Sequence, residues 1–482
     1  MKTAQLTLLL GLLTVTVSVA QKKQEIPEVK YRRSSLHTVL VQAGGSENAE
    51  TIEGAFFKAP FPDKYNDHNV GMNTLSRSDY AISDEEREAG GAKRTKAGEL
   101  GNKLASGATN GMTDPSAADV PFQIEKFISQ TKLANKLVAK WWGRKDDGSF
   151  GTDLIFERGM YDASALDAEV AQGTTRGADI ILQDAGFELI DKTFVVFNKM
   201  HFVENEKIAS LVKETALKAA AAIPNSIAQI AATKSAELAY KLTREGYTVY
   251  TTSFLYKLNW NDSVQEVFFT ELWVEPTDAD EVKAARAKAF EDTDLFQLEF
   301  IGKSKASSVV MPVNNPLTNK PSVPAKEVLE LATVRNIDAV YAKLQKEYEV
   351  FKPMTPLYSV KPHTARIGMK EGIEGGEKFE VLEQSIDPKT MRTIYTRKGV
   401  ITADKKLVWD NRTTALAENA NTNGMTEEEI EQMVENVLAG ETAPATSEEA
   451  VAAEPNEAAA LGATTFKGGG KFYPGMLIRQ LK

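Results

Sequence analysis

Four histidines are the residues of this chain best suited to bind a metal ion, because the sequence contains no cysteine. They are His37, His68, His201 and His363. Zinc-binding motifs such as H-E-x-x-H bring two histidines within a few residues of each other, and no two of these four are spaced in that way. We therefore expect a structural role for each histidine, and we predict neither a metal site nor a cofactor.

Two Ser-x-x-Lys tetrads have the spacing of a serine nucleophile and its lysine base. They join Ser129 to Lys132 and Ser210 to Lys213. A β-lactamase-like enzyme also requires S-D-N and K-T-G motifs, and the sequence contains neither. It also lacks the G-x-S-x-G elbow, the P-loop and the G-x-G-x-x-G dinucleotide motif. No catalytic residue is predicted, and the balance is against an enzyme without deciding the question.

Two further fragments match binding loops only in part. Gly468-Gly469-Gly470-Lys471 is followed by Phe472, where a P-loop needs serine or threonine, so we interpret it as flexible backbone before the last strand. Asp278 and Asp280 are spaced as in a calcium loop, but no glycine or distal glutamate follows in register. These two aspartates are better interpreted as the capped start of a helix.

Two tryptophans are the candidates for ligand binding. Trp142 lies off the apolar face of a predicted helix, and Trp260 lies at the tip of a predicted hairpin. An exposed indole at either place would stack on a sugar ring or a peptide. Packing in a core or an interface is the other interpretation, because tryptophan is highly buried on average. Paired carboxylates for glycoside hydrolysis also stay open, since Asp and Glu are too common for spacing to identify a pair.

The elements that position these residues begin after a predicted signal peptide, residues 1–20. Lys2 gives a positive start, an uncharged apolar stretch follows, and Ser18-Val19-Ala20 supplies the small residues of a cleavage site. No later apolar run reaches the ~18 residues of a membrane helix. Without cysteine we expect no lipid anchor and no disulfide. We therefore expect an exported protein, in the periplasm or associated with the outer membrane, with no transmembrane helix in the mature chain.

Residues 120–352 have the mixed pattern of an α/β domain. The domain begins with a predicted helix of about twenty residues from Pro121 and a strand at Gly151–Glu157. A helix from Ser164 to Gly186 and a strand at Thr193–Val203 follow. Strand, helix and strand in this order are typical of a right-handed βαβ unit. Next come two Ala-rich helices (206–222 and 225–245), two hairpins (247–260 with 264–274, and 295–301 with 307–311) and helices at 280–292 and 325–351.

The regions on either side differ from this domain. Residues 21–119 are predicted to form an extended or loop-rich N-terminal arm, with a docked edge strand near 37–41. Residues 353–482 are predicted to form a small, mostly β, barrel-like domain of about five strands, with a disordered acidic insertion at 417–466. That insertion holds eleven glutamates and no basic residue, so its charge of −11 exceeds the net charge of −10 and leaves the rest of the chain near neutral. The fold class predicted is α+β (or α/β).

One glycine-rich run carries a resemblance. In the run 367–381, Gly372 and Gly375-Gly376 permit a tight turn before a strand in which Phe379 and Val381 face the core. This run resembles the opening of small SH3-like barrels in bacterial envelope proteins, such as the C-terminal domain of the flagellar assembly protein T family. The chain as a whole resembles uncharacterised exported envelope proteins of Bacteroidota type. The resemblance implies an envelope setting and transfers no catalytic residue.

Three functions remain open from the sequence. The leading hypothesis is an exported, non-enzymatic protein of the bacterial envelope that acts through protein contacts, in a structural or assembly role with envelope proteins as partners. The alternative is a periplasmic or surface protein that binds glycan or peptide through Trp142 or Trp260. The third is a hydrolase that uses carboxylates. Nucleic acid is not an expected partner, because the near-neutral remainder of the chain presents no basic cluster.

Overall fold

The structure is a computed structural model, and it describes residues 34–42, 49–89, 117–162, 188–244, 246–310, 325–387, 393–412 and 462–481. The predicted signal peptide, the helix predicted at 164–186 and residues 417–461 of the acidic insertion lie outside this part. A mixed sheet and a closed barrel belong to one compact unit. The α+β class with a small barrel is therefore confirmed, and the exact domain limits stay predictions.

The sheet is built around one buried strand near the start of the chain. Its strands are β1 (Ser34–Gln42), β2 (Tyr65–Asp67), β3 (Thr74–Ser76), β4 (Thr193–Glu204), β5 (Tyr247–Leu258) and β6 (Leu298–Val310). The order is β2-β1-β4-β5-β6, and β3 also pairs with β1. Strand β1 runs parallel to β2, β3 and β4, whereas β4, β5 and β6 are antiparallel. The segment predicted as an edge strand thus lies inside the sheet.

Helices cover both faces of the sheet. The helices are α1 (Ala49–Lys58), α2 (Asp84–Ala89), α3 (Val120–Thr131), α4 (Leu133–Trp141), α5 (Asp153–Asp162), α6 (Asn205–Ala221), α7 (Ser226–Thr243), α8 (Asp262–Val267), α9 (Asp280–Asp292) and α10 (Ala325–Glu347). Successive side chains of β4 point to opposite faces. Val195 and Phe197 therefore pack with α3 and α4, while Phe194 and Val196 pack with α1 and α10.

Two predicted hairpins are wrong, the first because of local capping and the second because its segment is one strand. The Asn261 side chain accepts a hydrogen bond from the Val264 backbone N–H at 3.1 Å, so the predicted turn is the N-cap of α8. A short π-helical turn, Phe268–Leu272, continues the helical path. The second predicted hairpin is one continuous strand, β6, paired with β5. The helix predicted at 280–292 is confirmed as α9.

The predicted βαβ unit is also wrong in its first strand. Residues 153–157, predicted as part of that strand, belong to α5. The parallel neighbour of β4 is β1, which lies about 150 residues earlier and pairs from Ser35 with Thr193 to Val41 with Lys199. The helix predicted from Pro121 is present but divides at Lys132, whose φ of 51° is left-handed and separates α3 from α4. Pairing over such a distance leaves no local trace in the sequence.

The C-terminal strands close into a barrel of six strands. They are β7 (Thr355–Val360), β8 (His363–Ala365), β9 (Lys378–Ile386), β10 (Thr393–Ala403), β11 (Thr464–Lys467) and β12 (Leu477–Gln480). Each pairs antiparallel with its neighbours in the closed order β10-β11-β8-β7-β12-β9. Strand β11 contains the last residues of the predicted acidic insertion, Thr464 to Phe466.

The glycine-rich run connects β8 to β9 within this barrel, and it makes the tight turn before a strand that the sequence predicted. Gly372, Gly375 and Gly376 have φ values of 75°, 102° and 100°, which glycine adopts without strain. Phe379 and Val381 of the following strand are buried in the barrel core. Gly368 allows a close approach of two backbone segments. A Cβ atom at this position would overlap the backbone carbonyl oxygen of Trp409.

Replacing Gly368 by alanine tests this close approach. Gly368→Ala is expected to lower the free energy of unfolding by at least about 2 kcal/mol, because the obstructing atom is backbone and cannot rotate away. Gly469→Ala is the matched control, since open space surrounds that position and the change should stay below about 1 kcal/mol. Urea denaturation measures both. Equal effects of the two substitutions would contradict the packing argument.

Candidate functional site

The two candidate tryptophans lie in the core. Trp142 and Trp260 are only 7% and 2% exposed. Trp142 packs with Phe268 and Trp273 at ring-centroid distances of 5.6 and 5.3 Å, and Trp260 stacks on Phe296 at 6.3 Å. Neighbouring rings cover both indoles, so neither offers a platform for a sugar ring. The structure therefore agrees with the packing interpretation of these two residues.

The two Ser-x-x-Lys lysines are engaged elsewhere. Lys132 donates to the Asp294 carboxylate at 2.6 Å. The Lys213 ammonium lies 4.8 Å from the centroid of the Tyr240 ring, a cation–π contact. Ser129 and Ser210 are exposed on their helices. Each lysine thus has a structural contact, and the geometry gives neither serine an activating base.

The partial loop motifs also have structural roles. The Asp278 carboxylate accepts a hydrogen bond from the Glu275 backbone N–H at 2.9 Å and lies 3.7 Å from Arg286, which orders the turn before α9. Gly468 packs against Ile401 on the way to the last strand. Across the described residues, no group of three or more His, Asp or Glu side chains is arranged to hold a metal ion.

A buried cluster joins two histidines that are distant in sequence. His68 donates from Nε2 to the Leu137 carbonyl at 3.0 Å, and its Nδ1 accepts from Arg158 at 2.8 Å. These two bonds fix the neutral tautomer. The Arg158 guanidinium also lies 4.6 Å from the centroid of the Trp141 ring. His37 donates from Nε2 to a backbone carbonyl, and its Nδ1 has no hydrogen-bond partner.

Burial keeps both histidines neutral. It lowers the pKa of His37 from its ordinary value of 6.5 to about 4. Burial, followed by the charge of Arg158, holds the pKa of His68 well below the ordinary value. The cluster connects β1 and β2 to α4 and α5, so its neutral imidazoles help to hold the centre of the fold.

A second polar cluster lies in a crevice between the sheet and the barrel. The crevice encloses about 290 Å³, including the solvent at its mouth. Its lining consists mainly of polar side chains, which are Asp63, Lys64, Tyr65, Asp338, Tyr341, Gln345, Lys370 and Glu371. They come from the segment before β2, from α10 and from the short turn Met369–Glu371. We call this crevice with its lining the joint.

Glu371 is the buried carboxylate of the joint. Its Oε2 accepts hydrogen bonds from the Gly368 backbone N–H at 2.7 Å and from the Asn411 side chain at 3.0 Å. Burial raises the pKa of Glu371, and the charge of Lys64 partly offsets this effect. A buried carboxyl with a raised pKa is often an acid or base in catalysis. Here the Glu371 oxygen closes the turn Met369–Glu371 between β8 and β9, which is a structural role.

Ion pairs of the joint connect the barrel turn to α10. The Lys370 ammonium lies 3.7 Å from the Asp338 carboxylate, and both side chains are largely buried. Lys346 forms a more exposed pair with Glu374. Because the 290 Å³ includes solvent outside the mouth, the enclosed space is well below the ~300–1,000 Å³ typical of small-molecule sites. Its geometry therefore favours a rigid connection between the sheet and the barrel over a catalytic pocket.

A third feature is an exposed helical hairpin formed by α6 and α7, which connects β4 to β5. Near its base, Ile208 packs with Val203 and Tyr250. The Tyr240 hydroxyl donates to Glu206 at 3.2 Å and ties the two helices together. Of the described α7 residues, one small side chain, Ala236, is buried. Most of α7 therefore faces solvent.

The far end of this hairpin presents isoleucines to water. We call residues 219–233 the hairpin tip. The Asn225 side chain accepts hydrogen bonds from the backbone N–H groups of Ile227 and Ala228 at 2.9 and 3.1 Å, and so caps α7. Ile227 and Ile230 are 79% and 57% exposed. They lie three residues apart, on the same face of the helix.

Sequence reasoning found both helices of the hairpin but not this surface. The Ala-rich pattern predicts a helix equally well whether its apolar residues pack against the protein or stay outside. Pro224 marked the break between the helices. The uncharged stretch between Lys218 and Lys234 was the available signal for an unusual surface. The hairpin tip is the strongest candidate for a functional site in the described residues.

The buried histidines predict an acid-sensitive fold. Between pH 6.5 and about 4 the folded chain binds fewer protons at His37 than the unfolded chain does, so stability decreases as the pH falls through this range. From pH 7 to pH 5 His37 should account for about 2 kcal/mol of lost unfolding free energy. His37→Gln, which retains a donor to the Met72 carbonyl, should lose that much less over the same interval. Urea denaturation at both pH values measures the difference, and identical losses would refute it.

The joint predicts different roles for two nearby glutamates. Glu371→Ala removes a buried acceptor of two hydrogen bonds and is expected to cost about 3 kcal/mol of unfolding free energy. Glu374→Ala removes an exposed ion pair with Lys346 and should cost at most about 1 kcal/mol. Thermal and urea unfolding of the two variants provide the measurement. A cost at Glu374 equal to that at Glu371 would contradict the assignment.

The chain matches no family model, no curated protein and no solved structure. The similarity of the glycine-rich run to SH3-like barrels of envelope proteins, and of the whole chain to exported proteins of Bacteroidota type, therefore stays a prediction. Functional inference rests on the geometry of the described residues, and the hairpin tip is its starting point.

Proposed function

We propose that this chain is an exported, non-enzymatic protein of the bacterial envelope that acts through contacts, in a structural or assembly role. The observation that carries this proposal is the hairpin tip. Two large apolar side chains, Ile227 and Ile230, stand in solvent on a capped helix. Scattered exposed apolar residues are ordinary, but neighbouring ones within an uncharged stretch are typical of an interaction surface.

The way the chain builds the tip supports this proposal. Asn225 caps the start of α7, and Pro224 precedes it without continuing α6. The two isoleucines are therefore displayed on an ordered turn of helix rather than on a loose loop. Burying an exposed isoleucine fully contributes roughly 1.5–3 kcal/mol. A partner that covers both would gain a substantial part of its binding free energy there.

The proposed location rests on the start of the chain and on the barrel. The signal-peptide pattern of residues 1–20 supports export to the periplasm or the outer membrane. The glycine-rich opening of the barrel supports an envelope setting by its resemblance. The glycan-binding alternative depends on exposed indoles at Trp142 and Trp260, and both side chains are buried. We do not propose it further.

The proposal is tested in cells by fractionation. The wild-type chain should be recovered outside the inner membrane and partly with the envelope fraction. The double substitution Ile227→Asp with Ile230→Asp should shift it at least tenfold toward the soluble fraction, because two charges replace the apolar contact. Val282→Asp is the matched control, since Val282 is an exposed apolar residue on another helix, α9. It should leave the distribution unchanged.

Two results would refute the proposal. Recovery of the wild-type chain in the cytoplasm would remove the envelope assignment. An envelope association that is the same for the double variant and for Val282→Asp would remove the hairpin tip as the contact surface. Circular dichroism should give the same unfolding temperature for all three chains, because exposed substitutions change stability by less than about 0.5 kcal/mol.

A further inference from the structure

We propose that the hairpin tip binds the surface of an anionic lipid bilayer, with Ile227 and Ile230 inserted at the level of the headgroups. The inference deepens the proposed function, on which it rests, because it names the partner of the same surface. Three properties of the hairpin support a lipid surface as that partner. They are the absence of charge at the tip, the distance between the tip and the sheet, and the excess of basic residues along the helices.

The tip has the composition of a segment that enters an interface. Between Lys218 and Lys234 the chain has fifteen consecutive residues without charge, among them seven alanines and three isoleucines. The two most exposed isoleucines share one face of α7. No desolvation of a charged side chain opposes insertion of this stretch. Interfacial helices of peripheral membrane proteins bind through such apolar faces.

The geometry places the tip away from the rest of the fold. Helix α6 starts directly after β4 and has 17 residues, so its far end lies about 25 Å from its first residue. The apolar cluster of Ile208, Val203 and Tyr250 anchors the base of the hairpin to the sheet. A bilayer can therefore meet the tip while the sheet and the barrel remain in water.

The charge of the hairpin fits an anionic surface. The hairpin, residues 205–243, contains five Lys and three Glu, a net charge of +2 in a chain whose total is −10. Lys218 and Lys234 flank the uncharged stretch, one on each helix. Basic residues close to an anionic bilayer each strengthen binding about fivefold. The same long side chains extend toward headgroups while their stems stay apolar.

A second copy of the chain fits the tip less well. Two hairpins that each carry +2 repel one another at low ionic strength. A stable dimer also needs about 800 Å² of buried surface from each partner, and a tip made largely of alanine offers few large side chains. In the described part of the chain, none of the helices has the length and apolar character needed to cross a bilayer. The expected position is therefore in the interface.

Vesicle flotation with the full chain tests the proposal. The wild-type chain should float with vesicles of phosphatidylglycerol and phosphatidylethanolamine and bind phosphatidylcholine vesicles at least tenfold more weakly. The double substitution Ile227→Asp with Ile230→Asp should lower binding to the anionic vesicles at least tenfold, and Val282→Asp should not change it. Lys218→Gln and Lys234→Gln should each lower binding about fivefold, on anionic vesicles only.

A site-specific label makes the insertion visible. Because the chain has no cysteine, a single introduced cysteine reacts uniquely with a polarity-sensitive fluorophore. Ala228→Cys at the tip should give a blue-shifted, brighter emission on addition of anionic vesicles. Ala284→Cys, an exposed alanine of α9, should give no change. This comparison separates insertion of the tip from any vesicle binding by another part of the chain.

Each outcome decides the proposal. The proposal is overturned if the double substitution leaves vesicle binding unchanged. It is also overturned if the fluorophore at residue 228 shows no change of emission on addition of anionic vesicles. Concentration-dependent self-association that the double substitution abolishes, without vesicle binding, would overturn it in favour of a second copy. The tip could also control envelope association in cells while the purified chain does not bind vesicles. In that case the partner is another molecule, and the proposed function stands without this inference. Loss of both effects removes both proposals.

Discussion

The parallel pairing of β1 with β4 is the constraint on which the rest of the fold depends. Seven consecutive residue pairs, from Ser35–Thr193 to Val41–Lys199, join the start of the described chain to its middle. This register places β1 inside the sheet, with both of its faces covered. Because side chains alternate along a strand, slipping by one residue would move every side chain of β1 to the opposite face of the sheet, so that residues fitted to one core would meet the other.

Two polar clusters hold the layers around this pairing. On one side, Arg158 bonds to Ser35, His68 and the Asp67 carbonyl, and so links α5 to β1 and β2. On the other, Lys370 pairs with Asp338 and connects the barrel turn to α10, while Glu371 closes that turn. Buried polar groups stabilise a structure only when their hydrogen bonds are made. In both clusters most polar groups make hydrogen bonds or ion pairs between segments that are distant in sequence. These contacts help to hold the sheet and the barrel together as one compact unit.

The hairpin is the exception to this interlocking. It is inserted between two neighbouring antiparallel strands, β4 and β5, which a short turn would join equally well. Its anchoring contacts lie at the base, whereas its far end exposes Ile227 and Ile230. The hairpin therefore adds little to the core and leaves most of its surface available for contacts. An apolar, uncharged end on a net basic stalk is a reasonable design for contact with an anionic surface.

Local patterns in the sequence determined the elements with local causes. The periodic helices, the Pro224 break, the glycine turn before β9 and the small barrel all follow from side-chain type and spacing. Asn261 misled the hairpin prediction, because asparagine serves a turn and a helix cap equally well.

Only the tertiary structure decided which segments meet. It paired β1 with β4, brought His68 to Arg158, buried Trp142 and Trp260, and left Ile227 and Ile230 outside. The physical reason is the same in each case. Burial and long-range pairing depend on what lies across the fold from a residue, and the residues next to it in the chain carry no record of that partner.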